Sequence, residues 1–262
     1  MNEQPLDGDL NEKIHALTGF VPSTETADDD VFIVGYMKSG NNWFRNLAAG
    51  VVYGADPQYV PEALVRDLIP NHGPQNSYYK RYGAPMFFKT HDFPCSEYKR
   101  VVYILRNGCD VMVSLRHHYS ALHEREIDFL KLVRGEDERL PRLKWHKWHR
   151  HVEKWLANPY QAQMIVIRYE DLKRDTVNEL RRFCEFIGMS RADAELAAIA
   201  QKASFANMRE KEARLGRGRR WPKDKFFVRR GEVGSHKDEM SPEVLEAFLS
   251  EAGDTLRKLG YL

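Results

Sequence analysis

Val31-Phe32-Ile33-Val34-Gly35-Tyr36-Met37-Lys38-Ser39-Gly40-Asn41-Asn42-Trp43 opens with a short, continuous apolar run, the mark of a strand buried on both faces. A helical pattern follows it, with apolar residues at 43, 44, 47, 48 and 51. The spacing Gly35-x-x-x-x-Gly40 between strand and helix is that of a loop that cradles phosphate. Successive backbone N–H groups and the helix N-terminus then point at an anion. Lys38 lies inside the loop, however, and Asn41 and Asn42 stand where a Walker A motif has Lys and Ser/Thr. Without that hydroxyl the usual Mg²⁺ ligand is missing. The loop therefore reads as built for phosphate without the usual metal. A plain glycine turn is the competing reading.

Three further runs, 86–89, 101–105 and 164–168, resemble the first. Helical patterns cover 111–122, 176–187 and 191–202, and a pattern over 143–156 places Trp145, Trp148, Val152 and Trp155 on one face. Ser241-Pro242-Glu243 starts a last helix with Ser as cap and Pro at its first position. Strands alternating with helices predict an α/β fold, a P-loop-type parallel sheet with helices on both faces. A single domain is expected over residues 31–262, after a polar leader, 1–30. Residues 70–85 read as a long loop. Residues 210–226 read as a second one, with seven basic residues from Lys211 to Lys225 against two acidic ones. Such loops serve as lids or binding segments, or are simply solvated.

The 262 residues suffice to bury about 70–75% of the unfolded surface, so no disulfide or metal staple is needed. Forty basic residues against 38 acidic give a net charge of +2, which argues against a general nucleic-acid coat. Cys95, Cys109 and Cys184 are scattered and odd in number, as in a reduced chain. No apolar stretch approaches the roughly 20 residues of a membrane helix. The polar, acidic start lacks the pattern of a signal peptide. A cytoplasmic protein with no membrane or nucleic-acid partner is the expectation.

Two more strand ends carry chemistry. Lys89-Thr90-His91 follows the second run, at the edge where open α/β sheets gather ligands. His91 there suits a general base near neutral pH or, equally, a polar residue bonded to a neighbouring loop, and Lys89 suits stabilising a leaving oxygen. Arg106-Asn107-Gly108-Cys109-Asp110 ends the third run, with Ser114 in the next helix. A guanidinium fork and a hydroxyl suit a terminal phosphate. Asp110 reads as structural, capping the helix and pairing with Arg106.

Taken in order, these motifs resemble the sulfotransferases that use 3′-phosphoadenosine 5′-phosphosulfate (PAPS). Tyr36 to Trp43 is similar to that family's Tyr-Pro-Lys-Ser-Gly-Thr-x-Trp, and Lys89-Thr90-His91 to its Lys-Thr-His. Arg106 to Ser114 matches its Arg-Asn-x-x-Asp-Val-x-Val-Ser at every fixed position. Trp148-x-x-His151-Val152-x-x-Trp155, Arg168-Tyr169-Glu170-Asp171-Leu172, Ser204-Phe205-x-x-Met208 and Phe227-Val228-Arg229-Arg230-Gly231 resemble its later segments.

The resemblance implies roles. Lys38, Ser39, Gly40, Asn41, Asn42 and Trp43 would surround the 5′-phosphosulfate and the adenine edge. Arg106 and Ser114, joined by Arg229, Arg230 and Gly231, would hold the 3′-phosphate. Tyr169, Ser204, Phe205 and Met208 would line the adenosine. His91 would take the acceptor's proton while Lys38 and Lys89 stabilise charge, with no metal required. The expected reaction is sulfation of a hydroxyl, or less readily an amine, on a small molecule. Met37 departs from the family's proline, Asn41-Asn42 from Thr-Thr, and Ser235-His236 from Asp-Trp, which puts the lid contacts in question.

Other signals are discounted. His146, His149 and His151 lack a carboxylate or Cys to complete a metal set. His117-His118 reads as a solvated helix face rather than a substrate contact. The acceptor pocket is expected from loops 70–85 and 119–141, whose Tyr78, Tyr79, Tyr82, His123 and Phe129 suit a ring-bearing acceptor. Two rival functions are a P-loop nucleotide or small-molecule kinase, which the missing Walker hydroxyl opposes, and a catalytically silent nucleotide-binding module.

Overall fold

A computed structural model describes residues 20–22, 25–73, 78–217 and 221–262. Along the chain run β1 (Phe20–Pro22), β2 (Val31–Val34), α1 (Asn41–Tyr53), α2 (Glu62–Leu68), β3 (Tyr78–Lys80), β4 (Phe87–Thr90) and β5 (Arg100–Leu105). Then come α3 (Gly108–Leu122), α4 (Phe129–Arg134), α5 (Arg142–Trp145), α6 (Trp148–Ala157), β6 (Gln163–Arg168), α7 (Tyr169–Arg174) and α8 (Thr176–Ile187). The chain finishes with α9 (Asp193–Lys202), α10 (Phe205–Leu215), α11 (His236–Glu239) and α12 (Pro242–Lys258).

Four parallel strands form the central sheet in the order β4-β2-β5-β6. All four residues of β2 are fully buried, as its unbroken apolar run predicts. The strand's alternation divides the core. Phe32 and Val34 face one layer with Trp148, Trp155 and Phe248, while Val31 and Ile33 face another with Phe44, Leu47 and Phe183. Removing a ring such as Phe32 or Phe183 would cost about 3–5 kcal/mol. Because β4 lies on one side of β2 and β5 on the other, the chain reverses its winding there, and a crevice opens at the strands' carboxyl ends.

Several expectations are corrected. Ordered structure starts before residue 31: β1 pairs antiparallel with β3, in the stretch read as a plain loop. Asp30 is fully buried and accepts from Arg81 and from the Met86 N–H at 2.8 Å. The rest of the leader, 1–19 and 23–24, and positions 74–77 of that loop lie outside the described residues. The helix read over 143–156 is broken at His146–Lys147, and Trp145 points to solvent while Trp148, Val152 and Trp155 are buried. The break turns His146 inward, where its Nε2 meets the His91 carbonyl at 2.9 Å. Residues 210–215 are not loop but the end of α10, whose Lys211 is buried against Asn46. Helix α3 is capped by Asn107, not Asp110; the Asn107 Oδ1 accepts from the Cys109 N–H at 2.9 Å. Asp110 instead anchors the late segment, accepting from the Gly234 N–H at 2.7 Å and lying 2.7 Å from His236 Nδ1.

Candidate active site

The four strand ends deliver the three motifs and Tyr169 to one cavity of about 360 Å³. It is lined by Lys38, Gly40, Asn41, Asn42 and Trp43 after β2, by Lys89 and His91 at β4, and by Arg106 and Ser114 after β5. Tyr169 comes from the end of β6, and Phe205, Met208, Arg229, Arg230 and Gly231 from the late segments. Two expected residues do not line it. Ser39 is buried within the loop, and Ser204 caps α10 through its hydroxyl, which accepts from the Asn207 N–H.

The loop's geometry suits an anion. Lys38 has φ 67° and Gly40 φ 106°, so the backbone curls into a concave nest. A Cβ on Gly40 would meet the Tyr169 ring at 2.7 Å, so only glycine fits. Helix α1 starts at that glycine with no side-chain cap, which leaves its first N–H groups without a side-chain acceptor. Two buried donors, Ser39 Oγ and Arg106 Nε, also have no partner among the described residues. Arg106 is aimed by two backbone acceptors, the carbonyls of Lys38 at 3.3 Å and Glu232 at 3.0 Å, and it stacks on the Tyr169 ring at 4.3 Å. Unpaired buried donors are costly unless a ligand fills them, so this end of the cavity fits a phosphorylated nucleotide. The Asn41 amide N–H₂ donates to the Gly35 carbonyl at 3.2 Å, a structural bond where the Walker motif has its lysine.

His91 is oriented by two neighbours. Its Nδ1 lies 2.6 Å from the Gly35 carbonyl, which can only accept, so Nδ1 carries the proton. The Nε2 lone pair then faces Lys89 Nζ at 2.9 Å. Burial first, and then the Lys89 charge, hold the imidazole well below its usual pKa, so it stays neutral. Burial also brings the Lys89 ammonium down to about 7, helped by the Arg45 guanidinium. Lys38 is likewise held well below the lysine range by burial and by Arg217 and Arg106. Each shift comes first from burial and then from a neighbouring cation.

The lid half departs from expectation. His118 is not solvated: it lines the cavity, stacks on Trp221 with centroids 5.3 Å apart, and burial lowers its pKa to about 3. His117 lies 2.6 Å from Glu239, which also takes Arg229 at 2.8 Å and Arg230 at 2.9 Å. Burial alone would raise the Glu239 carboxyl, but hydrogen bonds from Arg229 and His117 bring it down to about 2. Gly231, at φ 62°, passes so close to Phe205 that a Cβ would stand 2.6 Å from its ring. None of Tyr78, Tyr79, Tyr82, His123 and Phe129 lines the cavity; Tyr79 and Phe129 are buried in the core. His146 and His151 are also core groups, His151 Nδ1 meeting the Tyr103 hydroxyl at 3.0 Å. Arg217, Asn46 and Lys173 line the cavity and were missed. Arg217 at least stood within the basic run, while Arg219 and Arg220 of that run lie outside the described residues.

A family model for the sulfotransferase domain matches residues 28–260. The chain belongs to the sulfotransferase family. The 3-beta-hydroxysteroid sulfotransferase of Cavia porcellus is 26% identical over 245 residues, 84% of this chain and 81% of that one. Human sulfotransferase 1C2 is 26% identical over 252 residues, 87% of this chain and 83% of its own. Among solved structures, mouse sulfotransferase SULT7A1 complexed with PAP superposes with a TM-score of 0.66 at 23% identity, covering 91% of each chain. Retinol dehydratase, in complex with androsterone and inactive cofactor PAP, gives 0.68 at 18% identity, over 90% of this chain and 83% of that one. The fold is shared with both. This sulfotransferase is a PAPS-dependent enzyme that transfers a sulfuryl group to a small-molecule acceptor, which removes the kinase and silent-module alternatives. No described helix is long and apolar enough to cross a membrane.

Proposed function

We propose that this sulfotransferase acts on a hydroxyl of a ring-bearing acceptor in the cytoplasm, with His91 as general base and Lys38 and Lys89 as the cations of the transfer. Bound PAPS supplies the sulfuryl group and a phosphate that leaves. Arg106, Ser114, Arg229, Arg230 and Gly231 hold the 3′-phosphate end, and Lys38 to Trp43 hold the phosphosulfate. Trp43, Tyr169, Phe205 and Met208 supply apolar and aromatic walls for the base, with Ser204 fixing the turn behind them. His91 Nε2 takes the proton of the acceptor hydroxyl as its oxygen bonds to sulfur. The sulfur–oxygen bond to the 5′-phosphate breaks, its electron pair stays on that oxygen, and Lys38 and the loop N–H groups donate to it and stabilise its charge.

One observation carries this reading: Nδ1 donates to the Gly35 carbonyl, so the lone pair of Nε2 faces the cavity beside Lys89. Lys89 Nζ meets that lone pair in this structure. The negative phosphosulfate draws the ammonium toward itself and uncovers the base, so proton removal waits for the donor. The test is His91→Ala, whose turnover should fall by about 10²–10⁴-fold while affinity for 3′,5′-bisphosphoadenosine stays within about threefold. Turnover kept within about threefold would remove His91 as the base.

A further inference from the structure

Beyond the transfer groups, one buried cation in the cavity has no assigned task. Arg217 stacks on Phe227 with its guanidinium carbon 3.4 Å from the ring centroid, and Lys38 Nζ lies 3.5 Å from the same centroid. Two cations directly over one face would occupy the same space, so they take opposite faces with the ring between them. Arg217 thereby lies across the ring from Lys38, beside the Glu62–Arg45 pair, and lines the same cavity as Lys89 and His91. Its side chain is only 9% exposed, and its ion pair with Glu62 is long, at 4.0 Å.

The carboxylates nearby are already engaged. Glu62 holds Arg45 at 2.5 Å and Asn46 at 3.3 Å. Glu212 accepts from the backbone N–H groups of Phe227 and Val228, at 2.7 and 2.9 Å. Arg217 is therefore a buried guanidinium whose nearest carboxylate already serves another arginine. A phosphosulfate brings one negative charge on its phosphate and one on its sulfate. With Lys38 and Lys89 assigned to those two charges, Arg217, across Phe227 from Lys38, is left with no counter-charge of its own. A purely apolar acceptor would bury that guanidinium without a counter-charge, which is expensive.

We infer that the acceptor carries an anionic group, such as a carboxylate, besides its reacting hydroxyl, and that Arg217 binds it on the face of Phe227 opposite Lys38. The inference rests on the assignment of His91 as the base, which fixes where the acceptor stands. A guanidinium fork matches a carboxylate in two parallel hydrogen bonds, and the Phe227 ring holds it flat for that purpose.

The test uses hydroxyaryl acids of increasing length, namely 4-hydroxybenzoate, 4-hydroxyphenylacetate and 3-(4-hydroxyphenyl)propionate, each beside its methyl ester. Turnover is followed with PAPS, and binding is followed in the complex with 3′,5′-bisphosphoadenosine. At least one acid should exceed its ester about tenfold or more in kcat/KM, mostly through KM. Arg217→Gln should bring that acid-to-ester ratio to within about threefold of unity, while Arg217→Lys keeps most of the preference. Bisphosphate affinity, measured on both variants, reports whether they fold and keep the nucleotide site. Esters matching or exceeding acids throughout, or no member of the panel turned over or bound, would overturn the inference. So would equal losses for acid and ester in Arg217→Gln, which would assign Arg217 to the transferring group instead. Loss of His91 separates the two readings: turnover persisting in His91→Ala overturns the base assignment, whereas the acid-to-ester ratio speaks only of Arg217.

Discussion

One end of the cavity takes its groups from the carboxyl ends of adjacent parallel strands, each within a few residues of a buried run; the other takes them from late segments, residues 203–217 and 221–240, and from α3. The first end is built by the sheet itself. Gly35 to Gly40, Lys89 to His91 and Arg106 fall into place because β2 and β4 end level, Val34 against Thr90, while β5 runs two residues further to Leu105. The second end depends on contacts between distant segments: Asp110 with Gly234 and His236, Glu239 with His117, Arg229 and Arg230, and Glu212 with the Phe227 and Val228 amides. Chemistry that every donor molecule needs thus sits on the rigid element. The proposed contacts to the 3′-phosphate, to the adenosine and to the acceptor's anion sit on the part held by side-chain ion pairs.

Perturbing the rigid end should have the larger consequences. Lys38→Met removes the cation proposed for the leaving phosphate and should lower turnover by about 10²–10³-fold, measured as kcat under saturating donor. Gly40→Ala forces a Cβ into the Tyr169 ring and a strained φ, and should destabilise the fold by about 1–3 kcal/mol in urea unfolding while weakening bisphosphate binding. If that variant bound nucleotide normally, the loop would be less rigid than the comparison requires.

The protonation of Lys89 sharpens the contrast further. Its ammonium titrates at about 7 in the free enzyme, and a bound anion raises that value. Below the free value Lys89 is already charged, so affinity for the bisphosphate should be flat with pH on its account. As pH rises above 7, binding must first restore the proton, and affinity should fall by up to about tenfold per pH unit until the bound-state value is reached. Calorimetry near pH 8 in buffers of different ionisation enthalpy should register net proton uptake. Release of protons instead would place the anion away from Lys89.

The smallest effect belongs to the lid. Glu239 neutralises Arg229 and Arg230, the cations proposed for the 3′-phosphate, and competes with that phosphate. Glu239→Gln should change bisphosphate affinity only a few-fold, because Arg229 and Arg230 are 31% and 43% exposed and ion pairs open to solvent are worth about 0–1 kcal/mol. A change of the size expected for the phosphate loop would erase the distinction between the two ends.

The same distinction decides what could be read from the chain. Gly35 to Trp43, Lys89-Thr90-His91 and Arg106 to Ser114 are legible because the physics that places them is local: a buried run, a glycine spacing, a helix start. His118 defeats such reading, since helical periodicity over α3 cannot show that Trp221 and Phe227 will fold across it. Arg217 was one charge in a basic run, with nothing local to separate it from its solvated neighbours. Tyr79 and Phe129 failed in the opposite sense: aromatic residues in apparent loops were taken for pocket walls, but they fill the core beneath. Trp145 was lost to the break that His146 makes in reaching the His91 carbonyl.

The proposed chemistry stands on the tautomer of one imidazole. Nitrogen-15 NMR of histidine-labelled enzyme at neutral pH, with His91→Asn to assign the signal, observes both ring nitrogens directly. The account predicts a protonated, pyrrole-type Nδ1 and an unprotonated, pyridine-type Nε2. A proton found on Nε2, in the neutral ring or in an imidazolium, would contradict it.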